Sequence, residues 1–262
     1  MKKQQPRYAQ KSSDPDRYWV RKREFDRFGA DLVGLAGLTE RSRSFEGLAT
    51  ILDLKDFTRF CDQRDSQNVV PEFLDEFLDW LFEALRNEMQ DTDEEDANRS
   101  ATEMVLWFHL PIFGKFLGDG LLLLWDVSNM SKESRRNVVQ AFDLICVDYR
   151  RVFLKQVRGR FSTPPSKLRC GIAQGLVTSI ADGKDYVGMC INVASRLQKL
   201  AEDSFSFGFS RKGMEETKGQ DWYEDFRLIK YKVRGITRPE LIYVLKREFV
   251  RLSKEDQRRY RV

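Results

Sequence analysis

The sequence contains few of the residue types on which histidine or thiol chemistry depends. Its 262 residues include one histidine and four cysteines, and no two cysteines form a CxxC pair. The single histidine, His109, excludes mechanisms that need a pair of histidines. Scattered cysteines in apolar surroundings favour buried thiols over disulfides or a zinc site. We therefore expect free thiols at Cys61, Cys146, Cys170 and Cys190.

A large excess of charge of one sign is also absent. The chain carries 45 Lys and Arg against 41 Asp and Glu, a formal net charge of +4, so nucleic acid is not the expected partner. No stretch approaches the roughly 18 apolar residues that a membrane-spanning helix needs. No long apolar segment follows the N-terminal lysines. These absences predict a soluble, cytoplasmic protein without a membrane partner.

The first half of the chain alternates short apolar runs with amphipathic segments. Residues 48–54, LATILDL, predict a buried strand, and apolar residues at helical spacing follow over 69–89. Residues 114–126, GKFLGDGLLLLWD, place Asp-Gly between two apolar runs. That pattern predicts a tight hairpin, because Asp-Gly readily adopts the backbone angles of a two-residue turn.

The second half continues the alternation. A long helix is predicted over 134–157, and the segment 168–180 indicates two strands separated at Gly175. A further helix is predicted over 190–202. The last strand candidates are 205–210, 225–233 and 240–245. This order favours an α+β fold with a ferredoxin-like β-α-β-β-α-β antiparallel sheet and helices on one face.

Two polar segments fall outside this pattern. Residues 1–46 are basic and interrupted by Pro and Gly, and we interpret them as a solvated extension with one short amphipathic helix over 17–29. A dimer-contacting arm or polyanion-binding tail is the alternative. Acidic residues over 87–103 predict a surface loop. We thus expect a main domain over 47–246, followed by a charged tail over 247–262.

Two acidic residues fall where the predicted sheet brings them together. Asp53 closes the first strand and Asp119 lies at the hairpin tip. In a ferredoxin-like sheet the first strand neighbours the hairpin, so both carboxylates can converge near the start of the next helix. Oxygen donors of this kind suit Mg²⁺ or Mn²⁺. Taken singly, each acid is also ordinary turn chemistry.

Five blocks of sequence resemble class III nucleotidyl cyclases, the adenylate and guanylate cyclase superfamily. In chain order they are ILDLKDFTRF, KFLGDGLLLLW, LRCGIAQGLV, DYVGMCINVASRLQKLA and VRGITRPELIYVL. The resemblance covers residues 46–246 and is strongest over 185–201, where Asn192 and Arg196 repeat the NxASR helix of that family. It implies an enzyme that converts a nucleoside triphosphate to a 3′,5′-cyclic nucleotide and diphosphate.

The resemblance also implies a role for each matching residue. Asp53 and Asp119 correspond to ligands of two Mg²⁺ or Mn²⁺ ions. Asn192 corresponds to the ribose-orienting asparagine, and Arg196 to the arginine that stabilises transition-state charge. A polar surface residue and a helix-surface salt bridge are the alternative interpretations of this Asn and Arg. The positions implied to bind substrate are Phe57, Thr58, Arg169 and Arg234 at the phosphates, and Lys115 and Asp185 at the base.

In class III cyclases the active site lies between two catalytic domains, whereas this chain carries one copy of the domain. The resemblance therefore implies a homodimer with two composite sites and an inactive monomer. Lysine donates and aspartate accepts, so Lys115 and Asp185 would recognise an acceptor beside a donor on the base edge. Adenine, cytosine and uracil all present that pattern. The pair does not by itself choose the base, and Arg169 and Arg234 could instead be ordinary exposed cations.

Three residues depart from the family pattern. Asp56 replaces the glycine of DxxGFT, and Met189 and Cys190 stand where the family has GDxVN. With no sensor segment beside the catalytic blocks, the chain most resembles the stand-alone uridylate and cytidylate cyclases of bacterial Pycsar antiphage systems. That resemblance implies UTP as substrate, with CTP next, and a cyclic product that acts on a separate effector protein in antiviral defence.

Other functions stay open at the level of sequence. The first alternative is an adenylate or guanylate cyclase making cAMP or cGMP. A catalytically silent regulatory dimer and a nucleic-acid-binding protein that uses its basic N-terminal residues are alternatives from other classes. Diguanylate cyclases share the general fold class, but GKFLGDG is not their GG(D/E)EF hairpin, and no GxxxxGK[ST] loop is present.

Overall fold

The chain is described here by a computed structural model, which divides into two compact units. The smaller unit is Met1–Ser44 with Thr178–Val187, and the larger is Phe45–Val177 with Gly188–Val262. Each is described by itself. The residues that the structure describes are 9–11, 14–19, 42–90, 106–200, 204–215, 224–236 and 238–262.

Ten strands occur among the described residues, and most belong to one sheet. In that sheet the order is β4-β5-β3-β6-β8-β10-β9, with β7 pairing to β6, while β1 pairs only with β2. The strands are β1 (Ala9–Lys11), β2 (Asp14–Trp19), β3 (Ser44–Lys55), β4 (Phe113–Phe116), β5 (Gly120–Asp126), β6 (Lys167–Ile180), β7 (Asp185–Gly188), β8 (Phe207–Ser210), β9 (Phe226–Tyr231) and β10 (Glu240–Leu245).

The helices connect these strands. The helix Lys132–Asp148, named α3 below, continues into a π-helical turn over Tyr149–Phe153. The helices of the described chain are α1 (Phe57–Cys61), α2 (Ser66–Met89), α3 (Lys132–Asp148), α4 (Leu154–Val157), α5 (Met189–Leu197), α6 (Lys246–Phe249) and α7 (Lys254–Arg259). None of the helices in this part of the chain is long and apolar enough to cross a membrane.

The predicted fold class is confirmed. The chain order β3-α-β4-β5-α3-β6 and the spatial order β4-β5-β3-β6 are those of the β-α-β-β-α-β arrangement. Strands β5 and β3 pair antiparallel, as do β4 and β5. Three further strands extend the sheet beyond β6, and the first of them, β8, pairs with β6 in parallel.

The main core lies between the sheet and helices α2 and α3. Helix α2 presents Phe73, Phe77 and Leu81 to the core at intervals of four residues, each at most 2% exposed. Alternate residues of β3, Leu52 and Leu54, belong to the same core. Because neighbouring residues of a strand point to opposite faces, the residues between them face the other side of the sheet.

Helix α5 packs on that other face. A Cβ on Gly171 of β6 would lie 2.1 Å from the carbonyl oxygen of Ala194 in α5, so this close approach of helix to strand requires glycine. Cys170 and Ile172, on either side of Gly171, instead face the main core. The face of the sheet that α2 and α3 leave uncovered therefore carries α5.

Three local predictions are wrong. Residues 167–180 form one continuous strand that passes through Gly175, and a Cβ at that position would meet the Cβ of Cys190 at 3.4 Å, an ordinary contact. Residues 87–89 end α2 rather than begin the acidic loop. Residues 17–19 belong to β2, not to a helix. The rest of the predicted N-terminal helix, and the loop over 91–103, lie outside the described residues.

The cysteine prediction is confirmed. All four thiols are free, and Cys146, Cys170 and Cys190 are buried, whereas Cys61 is half-buried. Burial raises the pKa of the Cys190 thiol to about 11. These thiols are packing groups of the core.

Candidate active site

The two acids meet where β3 ends against the β4–β5 hairpin. Asp53 is fully buried on the face of the sheet opposite α2, and the β3–β5 register places it beside Gly120. A Cβ on Gly120 would lie 2.3 Å from the carbonyl oxygen of Leu52, so only glycine fits there. The backbone N–H of Leu54 donates to the carbonyl oxygen of Asp119 at 2.9 Å. The hairpin tip is thereby fixed to the end of β3.

Two cations lie against the buried carboxylate of Asp53. Arg169 of β6 donates to Asp53 Oδ2 from both Nε, at 2.7 Å, and Nη2. Lys199 Nζ lies 3.4 Å from Asp53 Oδ1 and 3.9 Å from Asp119 Oδ2. Burial raises the pKa of Asp53, and the two cations oppose that rise. The Lys199 ammonium thus stands between the two acids as their shared counter-ion.

The two acids fit a divalent cation. Asp53 Oδ1 is buried and accepts no hydrogen bond, and among the described residues the Lys199 ammonium lies beside it at 3.4 Å. A buried carboxylate oxygen is stabilised by a neighbouring cation, and a divalent ion could take the place of this ammonium. Mg²⁺ is commonly bound by one or two carboxylates together with phosphate oxygens and water. In the described part of the chain no group of three or more His, Cys, Asp or Glu side chains gathers as a metal cluster. The described residues would therefore contribute two metal ligands, the carboxylates of Asp53 and Asp119.

Helix α5 presents a polar face to solvent. Asn192 and Arg196 are exposed one turn apart, and Lys199 follows after the helix on the same side. Val193 and Leu197, on the opposite side, are buried. The amphipathic spacing of this segment therefore turns both NxASR side chains outward, and the contact of α5 with β6 fixes the direction in which they point.

A cleft of about 870 Å³ runs beside the end of α5. Four basic residues line it: Arg196, Lys199, Arg234 and Arg259. A Cβ on Gly235 would lie 3.4 Å from Arg196 Nη2, so the turn after β9 approaches that guanidinium closely. The cleft is therefore suited to anions, because Asp256, the one carboxylate among the described residues that line it, already pairs with Arg259 at 3.3 Å.

The turn after β3 contains Asp56 at the position where the family pattern has glycine. Asp56 has φ 69°, in the left-handed region that glycine adopts readily and aspartate tolerates. Ser166 Oγ donates to Asp56 Oδ2 at 2.7 Å and holds the side chain. Beyond it, α1 begins with Phe57, which is buried, and Thr58, which is exposed. Aspartate at this position is therefore compatible with a left-handed backbone before α1.

The two predicted base-reading residues lie in different units. Lys115 is exposed on β4, opposite Leu122 of β5. Asp185 begins β7 in the smaller unit, and its Oδ1 accepts from the N–H of Tyr186 at 2.9 Å. Their assignment as a pair stays a prediction.

The structure brings five of the ten predicted residues into two neighbouring groups, Asp53, Asp119 and Arg169 at the acids and Arg196 and Arg234 at the cleft, and adds two that sequence reasoning missed. Arg169 joins the acids at Asp53 and does not line the cleft. Lys199 contacts both acids and also lines the cleft with Arg196. Its position three residues after Arg196 could have revealed it, since that spacing lies on one helix face. Arg259 had no such signal, because its segment reads as a charged tail.

The fold is shared with solved nucleotide cyclases. The adenylyl cyclase CyaB from P. aeruginosa is 17% identical, with a TM-score of 0.55 over 78% of this chain and 95% of that one. The guanylyl cyclase Cya2 is 17% identical, with a TM-score of 0.54 over 78% of this chain and 93% of that one. This chain has the fold of a class III cyclase catalytic domain.

A bacterial light-regulated adenylyl cyclase is also similar. It is 17% identical, with a TM-score of 0.50 over 91% of this chain and 63% of that one. No family model matches the sequence, and no curated protein sequence matches it. The similarity to these cyclases is thus one of fold, at a sequence identity of 17%.

Proposed function

We propose that this chain is a nucleotidyl cyclase that converts a nucleoside triphosphate to a 3′,5′-cyclic nucleotide and diphosphate. One observation carries the proposal: Lys199 Nζ lies within 4 Å of the carboxylates of both Asp53 and Asp119. The same lysine lines the basic cleft that holds Arg196 and Arg234. One chain thus carries both parts that a metal-dependent reaction at a triphosphate needs, an acid pair for the metal and a basic cleft for the phosphates. In a dimer, each part could meet the complementary part of the partner copy.

The chemistry is an internal displacement at the α-phosphorus. The ribose 3′-oxygen loses its proton and bonds to that phosphorus, while the bond to the bridging oxygen of the diphosphate breaks. Mg²⁺ or Mn²⁺ held by Asp53 and Asp119 would supply charge neutralisation and a lowered pKa of the 3′-hydroxyl. Arg196 would donate to the α-phosphoryl oxygens as negative charge grows, and Asn192 would orient the ribose.

The phosphate chain would lie among the cations of the cleft. Arg234 and Lys199 would bind its terminal oxygens, because charge-assisted hydrogen bonds to phosphate are the strong ones. Arg169 would act through Asp53, because its guanidinium opposes the rise in the pKa of Asp53 that burial causes. The backbone N–H groups of Phe57 and Thr58 would complete the phosphate contacts, as the family resemblance implies.

The active form would be a homodimer with two composite sites. Leu176 is 58% and Met189 is 63% exposed, and both lie near the start of α5. Exposed apolar side chains beside a functional face favour a protein contact there. Asn192 and Arg196 point outward from the same helix, so a partner copy could receive them at its own acid pair. One subunit would then supply the metal ligands and the other the Asn and Arg.

UTP is the proposed substrate, with CTP next, and the product cUMP would act on a separate effector protein in antiviral defence. This part depends on the resemblance to stand-alone pyrimidine cyclases. An adenylate or guanylate cyclase is the second candidate, because the named neighbours are adenylyl and guanylyl cyclases and the pattern that Lys115 and Asp185 would recognise also occurs on adenine.

The experiment that tests the function uses the purified full chain. It is incubated separately with ATP, GTP, CTP and UTP in the presence of Mn²⁺, and products are identified by mass. We expect cUMP as the main product. Exclusive formation of cAMP or cGMP would support the second candidate. No cyclic product from any of the four would contradict the cyclase proposal and favour a silent regulatory dimer.

A further inference from the structure

A second cavity lies away from the candidate active site. It has a volume of about 660 Å³ and opens between the π-helical turn that follows α3 and helix α6, which begins directly after β10. Its floor is apolar, because Leu168 and Leu245 are buried beneath it. This volume lies within the range of small-molecule sites. No described residue lines both this cavity and the cleft at Arg196.

The walls of the cavity carry an excess of positive charge. Its lining includes six basic and three acidic residues. Two of the acids are already neutralised: Asp143 accepts from Arg247 at 3.0 Å, and Glu248 accepts from the N–H of Ser206 at 2.8 Å and lies 3.6 Å from Lys167. The third acid, Asp225, is exposed at the rim.

Four cations remain for a ligand. They have no carboxylate partner among the residues described by the structure, and all four are exposed at the cavity wall: Arg150, Arg151, Lys155 and Arg251. Even if Asp225 offsets one of them, the remaining field favours an anion with several charges. Arginine and lysine in such a group bind phosphate oxygens well, since guanidinium groups can donate in pairs.

The backbone at this wall is specialised. Tyr149 and Phe153 bound the π-helical turn and are both buried, and Tyr149 Oη donates to the carbonyl oxygen of Pro165 at 2.7 Å. Arg150 and Arg151 are consecutive residues between these two anchors. Single π-helical turns are rare and occur frequently at functional sites. Here the turn places both arginines on the cavity.

We propose that this cavity binds a small molecule with a polyphosphate group, at a site separate from the candidate active site. The four cations take the phosphate oxygens. The apolar floor of Leu168 and Leu245 receives an uncharged part of the ligand. The volume of about 660 Å³ suits a small molecule.

The test titrates inorganic tripolyphosphate into the full chain carrying Arg196→Ala and Arg234→Ala, by calorimetry in EDTA. These two changes weaken the cleft, and EDTA removes divalent ions, so the cavity is the site that remains. We expect one equivalent to bind. Adding Arg150→Ala with Arg151→Ala should weaken binding at least tenfold.

The matched control is Lys254→Ala with Arg258→Ala, two exposed cations of α7 outside both linings. It should change binding less than twofold. If the arginine pair lowers the thermal midpoint, Lys155→Ala with Arg251→Ala serves instead, and the same loss is expected. Equal losses in control and cavity variants, or none in either cavity pair, would overturn the proposal.

Two further titrations identify the class of ligand. UTP or ATP binding tighter than tripolyphosphate assigns the site to a nucleotide, while equal affinity assigns it to the phosphate chain alone. Sulfate at the same ionic strength should fail to displace tripolyphosphate. Displacement by sulfate would show general charge screening and count against a built site.

Discussion

The acid pair and the polar face of α5 belong to one proposed site, yet they are built in opposite ways. Asp53 is fully buried and its surroundings are fixed by strand register and by Arg169. Asn192 and Arg196 are exposed, and helical spacing together with the packing of α5 on β6 sets the direction in which they point. A buried charge needs a partner, whereas an exposed one does not. The acid pair therefore depends on neighbouring cations, whereas the polar face of α5 depends only on the placement of its helix.

The largest expected loss of turnover comes from a substitution in the acid pair. Asp119→Ala should reduce turnover by about 10³-fold or more, which corresponds to about 4 kcal/mol of activation free energy. The fold and the dimer should persist, because the Asp119 side chain is 41% exposed and supports no core packing. Product formation and analytical ultracentrifugation measure the two quantities.

Asp126→Ala is the control for this change. Asp126 lies at the other end of β5, where its Oδ1 accepts only from the N–H of Ser128 at 2.9 Å. Turnover should stay near that of the unmodified chain. If Asp119→Ala were as active as its control, the metal-ligand assignment would be wrong.

A smaller effect is expected on the helix side. Arg196→Ala should lower kcat by about 10²- to 10³-fold, as loss of a transition-state donor typically does. KM should change only slightly, because the lost interaction belongs to the transition state. Steady-state kinetics with the accepted nucleotide give both constants.

Arg196→Lys sharpens this prediction, since lysine keeps the positive charge but lacks the planar guanidinium group that donates paired hydrogen bonds. Its kcat should fall between those of the alanine variant and the unmodified chain. Arg86→Ala, at an exposed position of α2, should leave both constants unchanged. A rise in KM with unchanged kcat would instead place Arg196 in ground-state binding.

The smallest effect concerns the residue that joins the two regions. Lys199→Met should tighten Mn²⁺ binding by about two- to fivefold, because the ammonium competes with the metal and half-exposed ion pairs contribute at most about 1 kcal/mol. The Lys199 side chain is 54% exposed. Electron paramagnetic resonance of free Mn²⁺, without nucleotide, measures the affinity.

Lys246→Met, an exposed lysine of α6, is the matched control and should leave the affinity unchanged. Unchanged or weaker Mn²⁺ binding in Lys199→Met would show that the lysine does not compete for the acids. Whatever the result for turnover, this readout reports on the acid pair itself.

Local pattern predicted much of the site. Alternation and apolar runs indicated β3 and β5, and the Asp-Gly pair located the hairpin that carries Asp119. The NxASR spacing placed Asn192 and Arg196 on one helix face. Gly175 misled, because a glycine inside a continuous strand and a glycine that ends a strand look the same in sequence.

The pairing of charges could not be predicted in this way. Arg169 follows Asp53 by more than a hundred residues, and only the sheet brings its guanidinium to the buried carboxylate. Arg259 reaches the cleft for a similar reason, although its segment reads as a charged tail. Charge pairing across strands depends on distances that residue spacing does not contain.

By itself, the sequence determined the order of the elements in the β-α-β-β-α-β arrangement, the free thiols and the residue types of the proposed chemistry, because these depend on periodicity and local turns. Only the tertiary structure decided that Asp53 is buried, that Lys199 joins the two acids and that α5 covers the second face of the sheet. Burial and ion pairing act through space, so they become fixed only when distant strands and helices pack together.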